Sequence, residues 1–388
     1  MKKWLAIIAG TALIMTGCVP ALEKEEKIVQ EQDDKIEKAI IPHFQISDQY
    51  YRTILPFKPG KARGMVVSNL NTRYDISEFE NGLMRIAQET FSPDTYLFQE
   101  GQYLEGDVIK SWLNRKYTDA QLKEKDIDPS ENIGLNPPLS GEGTIEEQNN
   151  KSPIYLAHVL EHNYLKKDKE SSVSLEGIVI GLALNSVHYY QNSNGATLEQ
   201  EISHDELEKQ GKEIAKEVLN RLRSMDGLQD IPIVIALFEQ ESRTSVVPGR
   251  FFAYTSVGKG SSSIDNWKNI NQQYYLLPSS KAESTHRQDV EMFLNFKQEV
   301  ERYFPHFNGV IGRAFYQEEQ LMELNIEIPI QFNGEAELIG FTQWVAGLAK
   351  DHLPNTINLE INISSLSGQG AIIIRKPNEN EPFVHIYQ

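Results

Sequence analysis

Cysteine is almost absent from this sequence of 388 residues, which contains only Cys18. A single thiol cannot close an internal disulfide, so the fold is not a disulfide scaffold. A chain of this length can bury a sufficient hydrophobic core without covalent cross-links. Cys18 therefore calls for another explanation, and the residues that precede it supply one.

Positive charge is also in short supply, with 38 Lys and Arg against 55 Asp and Glu, a formal net charge of −17 and a pI of about 5.1. The 36 basic and 55 acidic residues that follow position 17 give −19. Binding to nucleic acid requires a basic surface that neutralises phosphates, so we expect no nucleic-acid partner. The same charge opposes direct adsorption to anionic lipid, so a membrane location requires an anchor.

Several catalytic signatures are missing as well: the glycine-rich phosphate loop, the G-x-S-x-G elbow and the H-E-x-x-H helix. The one short match is "HVLEH", of the form H-x-x-E-H, at residues 158–162. On a helix, His158 and His162 would lie one turn apart and could share a zinc ion, while Glu161 polarised a bound water. No later helix offers an obvious third ligand. We therefore expect two exposed histidines on a surface helix, with no metal, cofactor or catalytic residue, and keep a zinc-dependent hydrolase as the alternative.

Long apolar runs are rare, and the clearest one is "WLAIIAGTALIM" at residues 4–15, directly after Lys2 and Lys3. Twelve residues rise about 18 Å as a helix, short of the hydrocarbon core of roughly 30 Å. The basic start, the apolar run and the small residues that follow are typical of an export signal. We interpret residues 1–17 as a signal peptide that is cleaved between Gly17 and Cys18.

The residues "MTGC" at positions 15–18 resemble the lipobox of bacterial lipoprotein precursors. This resemblance implies a diacylglycerol on Cys18, added by acyl transfer enzymes, and cleavage before Cys18 by lipoprotein signal peptidase. Two acyl chains hold a protein stably in a bilayer, whereas one chain does not. We therefore expect the mature protein to be anchored to the extracytoplasmic face of the cell membrane through Cys18.

The residues after the cysteine are dense in Glu, Lys, Asp and Gln. Such a composition favours a solvated tether over residues 18–41, disordered or loosely helical, in which residues 19–40 reach at most about 70 Å if extended. A surface helix is the alternative interpretation.

The rest of the chain predicts an α+β protein of two domains, residues 42–275 and 276–388, with an exposed polar loop at 123–152. In the first domain, strands are predicted at 65–70, 177–184, 231–239 and 250–256, with one helix capped by Asp75 or Ser77 and another by Ser203. In the second domain, strands with alternating apolar residues at 324–332 and 357–363 flank a helix at 337–353 that Pro354 ends. The order β-α-β-β thus occurs twice, and it predicts two related units with mixed or antiparallel sheets.

One polar segment near the second predicted hairpin is a candidate binding region. Loops at strand ends often carry binding groups, but charged hairpin rims also keep sheets soluble, and the sequence leaves both interpretations open. The candidate residues are Glu239, Glu241, Arg243, Arg250, Tyr254 and Lys259.

Several passages in order make the whole chain similar to the CamS family of sex pheromone lipoprotein precursors of Gram-positive bacteria. They are the lipoprotein signal, "SWLNRK", "SPIYLAHVLEHNYL", "SLEGIVIGLALNSVHYY" and "PGRFFAYTSVGKG". The resemblance implies a membrane-anchored extracytoplasmic α+β body of unknown biochemical role, which we expect to be a non-catalytic surface binding or structural module. It also implies a signal peptide that is trimmed to a short apolar peptide sensed by plasmid-bearing recipient cells. By position, that heptapeptide would be "TALIMTG", residues 11–17.

Overall fold

The computed structural model describes residues 26–32, 35–47, 49–139, 141–168, 172–303, 309–331 and 334–387. The expected signal peptide, Gly17, Cys18 and Phe332 lie outside these residues. Within them, none of the helices combines the length and the apolar character that crossing a membrane requires.

The described residues form strands and helices along the whole chain. In chain order, the strands are β1 (Glu26–Gln32), β2 (Lys35–Ile41), β3 (Arg52–Thr53), β4 (Leu97–Glu100), β5 (Leu156–Lys167), β6 (Ser172–Asn185), β7 (Val187–Gln191), β8 (Thr197–Glu201), β9 (Ile233–Gln240), β10 (Arg250–Val257), β11 (Lys268–Asn269), β12 (Gln272–Leu277), β13 (Ile311–Gln317), β14 (Gln320–Pro329), β15 (Asn358–Ser365), β16 (Gly368–Arg375) and β17 (Phe383–Ile386). The helices are α1 (Met65–Asn69), α2 (Arg73–Ala87), α3 (Gly106–Leu113), α4 (Asp119–Lys125), α5 (Ile145–Lys151), α6 (His204–Arg223), α7 (Ser280–Thr285), α8 (Arg287–Tyr303) and α9 (Glu335–His352), with a 3₁₀ helix at Pro129–Glu131.

The four central strands of the first sheet are arranged in the same way as four consecutive strands of the second sheet. The first sheet runs β11-β10-β9-β6-β5-β4-β3, and the second runs β12-β13-β14-β15-β16-β17. In the first, β6 and β9 are parallel and joined by α6, with antiparallel β5 and β10 outside them. In the second, β14 and β15 are parallel and joined by α9, with antiparallel β13 and β16 outside them. The predicted α+β class with two β-α-β-β units is therefore confirmed.

Helices cover both faces of the first sheet but pack chiefly on one face of the second. Apolar residues of α3 and α6 bury one face of the first sheet, and residues of α2 bury the other. In the second sheet, α8 and α9 pack on one face, where Phe341, Ile328 and Ile361 lie in one core as their alternation predicts. The period of two in these strands puts Leu324, Ile326 and Ile328 on that buried face.

Helix ends follow local chemistry. Ser203 caps α6 as predicted, since its hydroxyl accepts a hydrogen bond from the backbone N–H of Glu206 at 3.4 Å. The cap expected for α2 at Asp75 or Ser77 is wrong. Thr72 is the cap and accepts from the N–H of Asp75 at 3.0 Å, while Asp75 itself is buried in the first turn.

Two local predictions in the first half are wrong. Residues 65–69 form helix α1 rather than a strand, with Val66 buried and with Leu70, also buried, directly after its end. Packing therefore overrides the β-branched composition. The segment 123–152 is not a free polar loop, because it contains the 3₁₀ helix and α5. Asn136 within it is fully buried and donates to the carbonyls of Leu113 at 2.8 Å and Leu156 at 3.0 Å.

The expected flexible tether is also corrected for residues 26–41. This segment folds as a hairpin in which β1 and β2 pair antiparallel, and β1 adds in parallel to the start of β6. Ala39 and Ile41 are buried in a small core against Ile54 and Leu165. Burial of these two side chains helps to hold the end of β2 on the sheet.

The two sheets meet through helix α2 and strand β12. The domain boundary that the sequence predicts between residues 275 and 276 falls within β12. The carboxylate of Glu78, on α2, is buried and forms an ion pair with Arg85. It also accepts a hydrogen bond from the hydroxyl of Tyr274, on β12, at 2.6 Å. The guanidinium of Arg85 lies 4.9 Å from the ring centroid of Phe315, on β13.

Candidate functional site

A cavity of about 360 Å³ lies between helices α1 and α2 and the strands β4 and β5. Helix α2 packs mainly over β6, β9 and β10, while α1 packs on β5 and the loop at residues 60–64 adds to the cavity wall. The volume falls within the range of small-molecule sites. Much of the wall is apolar, with Val66, Met84, Phe98 and Leu160 among its residues.

The segment "HVLEH" lines this cavity, but as part of strand β5 and not on a helix. The helical interpretation is wrong because both histidines are buried on a sheet. Four residues along a strand span roughly 13 Å, so His158 and His162 are too far apart to share one zinc ion. In the described ranges, no three His, Cys, Asp or Glu side chains are grouped as a metal site requires.

The two histidines are kept neutral by burial, and neither is exposed as expected. Loss of solvent lowers the pKa of His158 to about 4 and that of His162 to about 3. The side-chain amide of Asn69 donates to Nδ1 of His158 at 3.1 Å. Nδ1 of His162 is buried and has no hydrogen-bond partner, and its ring meets the edge of Phe98 at 4.9 Å between centroids.

Glu161 holds the turn that follows β4. Its carboxylate accepts hydrogen bonds from the backbone N–H groups of Gln102 at 3.0 Å, Tyr103 at 3.1 Å and Leu104 at 2.7 Å. Burial raises the pKa of Glu161, and these hydrogen bonds oppose the shift. Gly101 is required here, because a Cβ at that position would lie 2.6 Å from the Cβ of Glu161. Glu161 is thus committed to shaping the cavity wall and is not a free general base.

The more exposed end of the cavity, called the mouth, carries Arg63, Glu80 and Glu100. One oxygen of Glu100 accepts from the N–H of Gly60 at 2.5 Å, and the other lies 3.9 Å from Nε of Arg63. Partial burial raises the pKa of Glu80, the charge of Glu100 raises it further, and Arg63 lowers it. Two carboxylates and one guanidinium leave the mouth with one surplus negative charge.

The six residues predicted as a binding region do not form one site. Glu239 is paired with Arg250 at 3.4 Å, and Nδ1 of His204 lies 2.9 Å from the same carboxylate oxygen. The guanidinium of Arg243 stacks 4.1 Å from the ring centroid of Tyr189.

Glu241 lies close enough to Glu239 and Arg250 for their charges to act on its pKa, whereas Tyr254 and Lys259 lie apart from this group. Glu241 is half-buried, and burial raises its pKa while Lys281 lowers it. Tyr254 is buried in the middle of β10, and Lys259 lies beyond the other end of that strand, 3.9 Å from Glu176. These contacts favour the interpretation in which charged side chains keep the sheet edge soluble.

The arrangement in the cavity suits binding. It offers a negative mouth and a largely apolar wall. Sequence reasoning selected the histidines but placed them on the surface, and it missed Arg63, Glu80 and Glu100. These three residues stand 37 positions apart or less, yet no motif links them, because the cavity forms only when the loop, α2 and β4 come together.

Comparisons with known proteins agree on the family. The family model described as "CamS sex pheromone cAM373 precursor" matches residues 57–381. The C-terminal domain of the sex pheromone staph-cAM373 precursor from Staphylococcus aureus is 35% identical, with a TM-score of 0.71 over 82% of this chain and 98% of that one. The sex pheromone precursor from Lactobacillus salivarius is 33% identical, with a TM-score of 0.79 over 89% of this chain and 98% of that one. No curated protein sequence matches significantly.

Proposed function

Because the chain belongs to the CamS family of sex pheromone precursors, we propose that it is made as a lipoprotein precursor whose signal peptide and folded body have separate roles. The signal peptide, residues 1–17, is cleaved before Cys18, and the heptapeptide at 11–17 is released from it as an apolar signalling peptide. The folded body is held at the extracytoplasmic face of the cell membrane by acylated Cys18. The observation that carries this proposal is the lone cysteine, directly after an apolar run and small residues, in a member of a precursor family.

The charge of the body supports the need for the lipid. The residues after position 17 carry a formal net charge of −19, so the body has no electrostatic attraction to anionic headgroups. Retention at the membrane then depends on the two acyl chains, which bury enough methylene groups for stable anchoring. Acyl transfer enzymes and lipoprotein signal peptidase are the partners that this maturation requires.

Replacement of Cys18 tests the anchor. We expect Cys18→Ala to move the protein from the membrane pellet to the soluble extracytoplasmic fraction, without a change in the thermal unfolding of the body. Cell fractionation with immunoblotting measures this, and mass spectrometry of the wild-type amino-terminal peptide identifies the lipid. Continued pelleting of the alanine variant in the same lipoprotein fraction would contradict the proposal.

For the folded body, we propose a non-catalytic role in which the cavity binds a small ligand. The supporting observation is a preformed cavity with a largely apolar wall and a charged mouth. The test is capture of cell-envelope molecules on the delipidated body, with identification by mass spectrometry. Val67 lines the cavity and is 65% exposed, so Val67→Trp can fill the space without disturbing the core. Molecules retained by the wild type and lost by Val67→Trp are cavity ligands, and equal retention of every molecule overturns this role.

A further inference from the structure

We propose that the cavity selects the amino end of a short apolar peptide, with the ammonium group between Glu80 and Glu100 and the first side chain against the apolar wall. This inference rests on the proposed binding role of the cavity and adds the chemical class of the ligand.

The carboxylate of Glu80 is the first observation. It is half-buried at the mouth, and among the residues that the structure describes it has no hydrogen bond and no ion pair within 4.0 Å. A carboxylate that has lost part of its water without gaining a hydrogen bond or an ion pair is costly, and a cation in direct contact would offset that cost. The charge of Arg63 acts on Glu80 only from a distance, since its Nε lies 3.9 Å from Glu100 and it forms no ion pair with Glu80 within 4.0 Å.

The number of charges and donors selects the kind of cation. The mouth has a surplus of one negative charge, which a single positive charge neutralises. A divalent metal prefers six or more oxygen ligands, and two carboxylates with one already bonded to Gly60 supply too few. A primary ammonium has three N–H donors and can reach both carboxylates while keeping one donor for water. A primary ammonium is therefore the cation that fits.

The interior of the cavity selects the rest of the ligand. Beyond the mouth the wall is formed by Met84, Phe98 and Leu160, which favour an aliphatic side chain. The ring of His162 belongs to this wall, and its Nδ1 is enclosed by protein, so the wall offers the ligand no polar group at that atom. A volume of 360 Å³ equals about a dozen water molecules. An amine beside an aliphatic side chain in that space describes the first residue of an apolar peptide.

The acid groups give the binding a definite pH dependence. The pKa of Glu80 is raised, so its carboxylate takes up a proton sooner than an exposed glutamate as the pH falls. Glu100 on β4 and Arg63 in the loop before α1 act on it directly, and the other titratable groups that line the cavity are His158, Glu161 and His162 on β5. The histidines have pKa values of about 4 and about 3, so both are neutral above pH 5. Affinity for an ammonium should thus decline as the pH falls toward 4, through protonation of Glu80.

Calorimetric titration with leucyl-alaninamide and its N-acetylated form tests this inference on the delipidated body. We expect the free amine to bind, and acetylation to weaken binding about tenfold or more, the loss typical of one charged hydrogen-bonding group. Glu80→Gln should weaken the binding of the free amine to the same extent and leave the binding of the acetylated peptide unchanged. Glu89→Gln, an exposed position just after α2, removes the same charge from the surface and should change neither affinity.

The outcomes separate this inference from the broader binding role. Equal affinity for both peptides, no binding of either, or unchanged affinity in Glu80→Gln would overturn the selection of an amine. The capture of cell-envelope molecules on the wild type and on Val67→Trp tests the binding role independently of the kind of ligand. Binding of leucyl-alaninamide that persists in Val67→Trp would place the peptide outside the cavity and also overturn the inference. Thermal unfolding of each variant confirms that it is folded.

Discussion

His162 shows how burial determines the behaviour of a single residue. It lies on β5 with 4% of its surface exposed, and its ring contacts Phe98 in the cavity wall. No charged partner compensates for protonation, so the folded state accepts only the neutral imidazole. In the unfolded chain the same ring has a pKa near 6.5. The folded pKa of about 3 is therefore depressed, and stability is present above the unfolded pKa and lost as the pH falls toward the folded one.

Replacement of His162 by a side chain that does not titrate should reduce the acid sensitivity of the fold. Between pH 6.5 and 4.5 the unfolded wild type gains a proton at this position and the folded protein does not. The wild type should thus lose about 2 kcal/mol more free energy of unfolding over this range than His162→Gln. Urea titrations at a series of pH values measure the difference. Parallel pH curves for the two proteins would mean that His162 is already protonated, or solvated, in the folded state.

Strands and helices with strong periodicity were the elements that the sequence predicted well. In β14, α9 and β15 the apolar residues recur at the spacing of each element, and these residues form the core of the second sheet. In contrast, α1 and β5 were mistaken for a strand and a helix. The conformation of these two segments is determined by packing around the cavity and against neighbouring layers rather than by local secondary-structure propensity. The cavity itself could not be predicted, since its wall comes from α1, α2, β4, β5 and the loop at residues 60–64, which are distant in sequence.

The two faces of β15 give a direct test of the alternation. Ile361 is fully buried in the core of the second sheet, so Ile361→Ala should lower the free energy of unfolding by about 2–5 kcal/mol through the cavity it leaves. Glu360 points to the opposite face, where it accepts a hydrogen bond from Asn362 at 2.9 Å. Glu360→Ala should change stability by only about 0.5 kcal/mol. Urea unfolding of both variants compares them, and a loss at Glu360 as large as that at Ile361 would show that the register is misassigned.

At the scale of the whole molecule, the repeated strand order places a parallel pair at the centre of each sheet and antiparallel strands at its sides. The joint between the sheets is polar, with Glu78 between Arg85 and Tyr274. The opposing charge of Glu78 and its hydrogen bond raise the pKa of Arg85, whereas burial lowers it, and the net shift is upward. The two halves depend on each other, because the buried carboxylate of Glu78 on α2 accepts a hydrogen bond from Tyr274 on β12 of the second sheet.

Removal of one member of this joint should destabilise the entire fold. Arg85→Met keeps most of the side-chain volume but leaves Glu78 buried without its ion pair, at a cost of about 3 kcal/mol. The matched control is Arg302→Met, which breaks the exposed pair with Glu299 and should cost less than about 1 kcal/mol. Denaturant unfolding measures both. Similar losses in the two variants would indicate that the joint contributes no more than a surface ion pair.

The hairpin at residues 26–41 changes the mechanics of attachment to the membrane. With β1 and β2 part of the first sheet, residues 18–25 alone connect the proposed lipid to the body, and they extend at most about 27 Å rather than about 70 Å. The volume accessible to a tethered body grows with the cube of the length of its tether, so the shorter tether reduces that volume more than tenfold. A molecule confined to the same membrane surface would then meet the body at a correspondingly higher effective concentration.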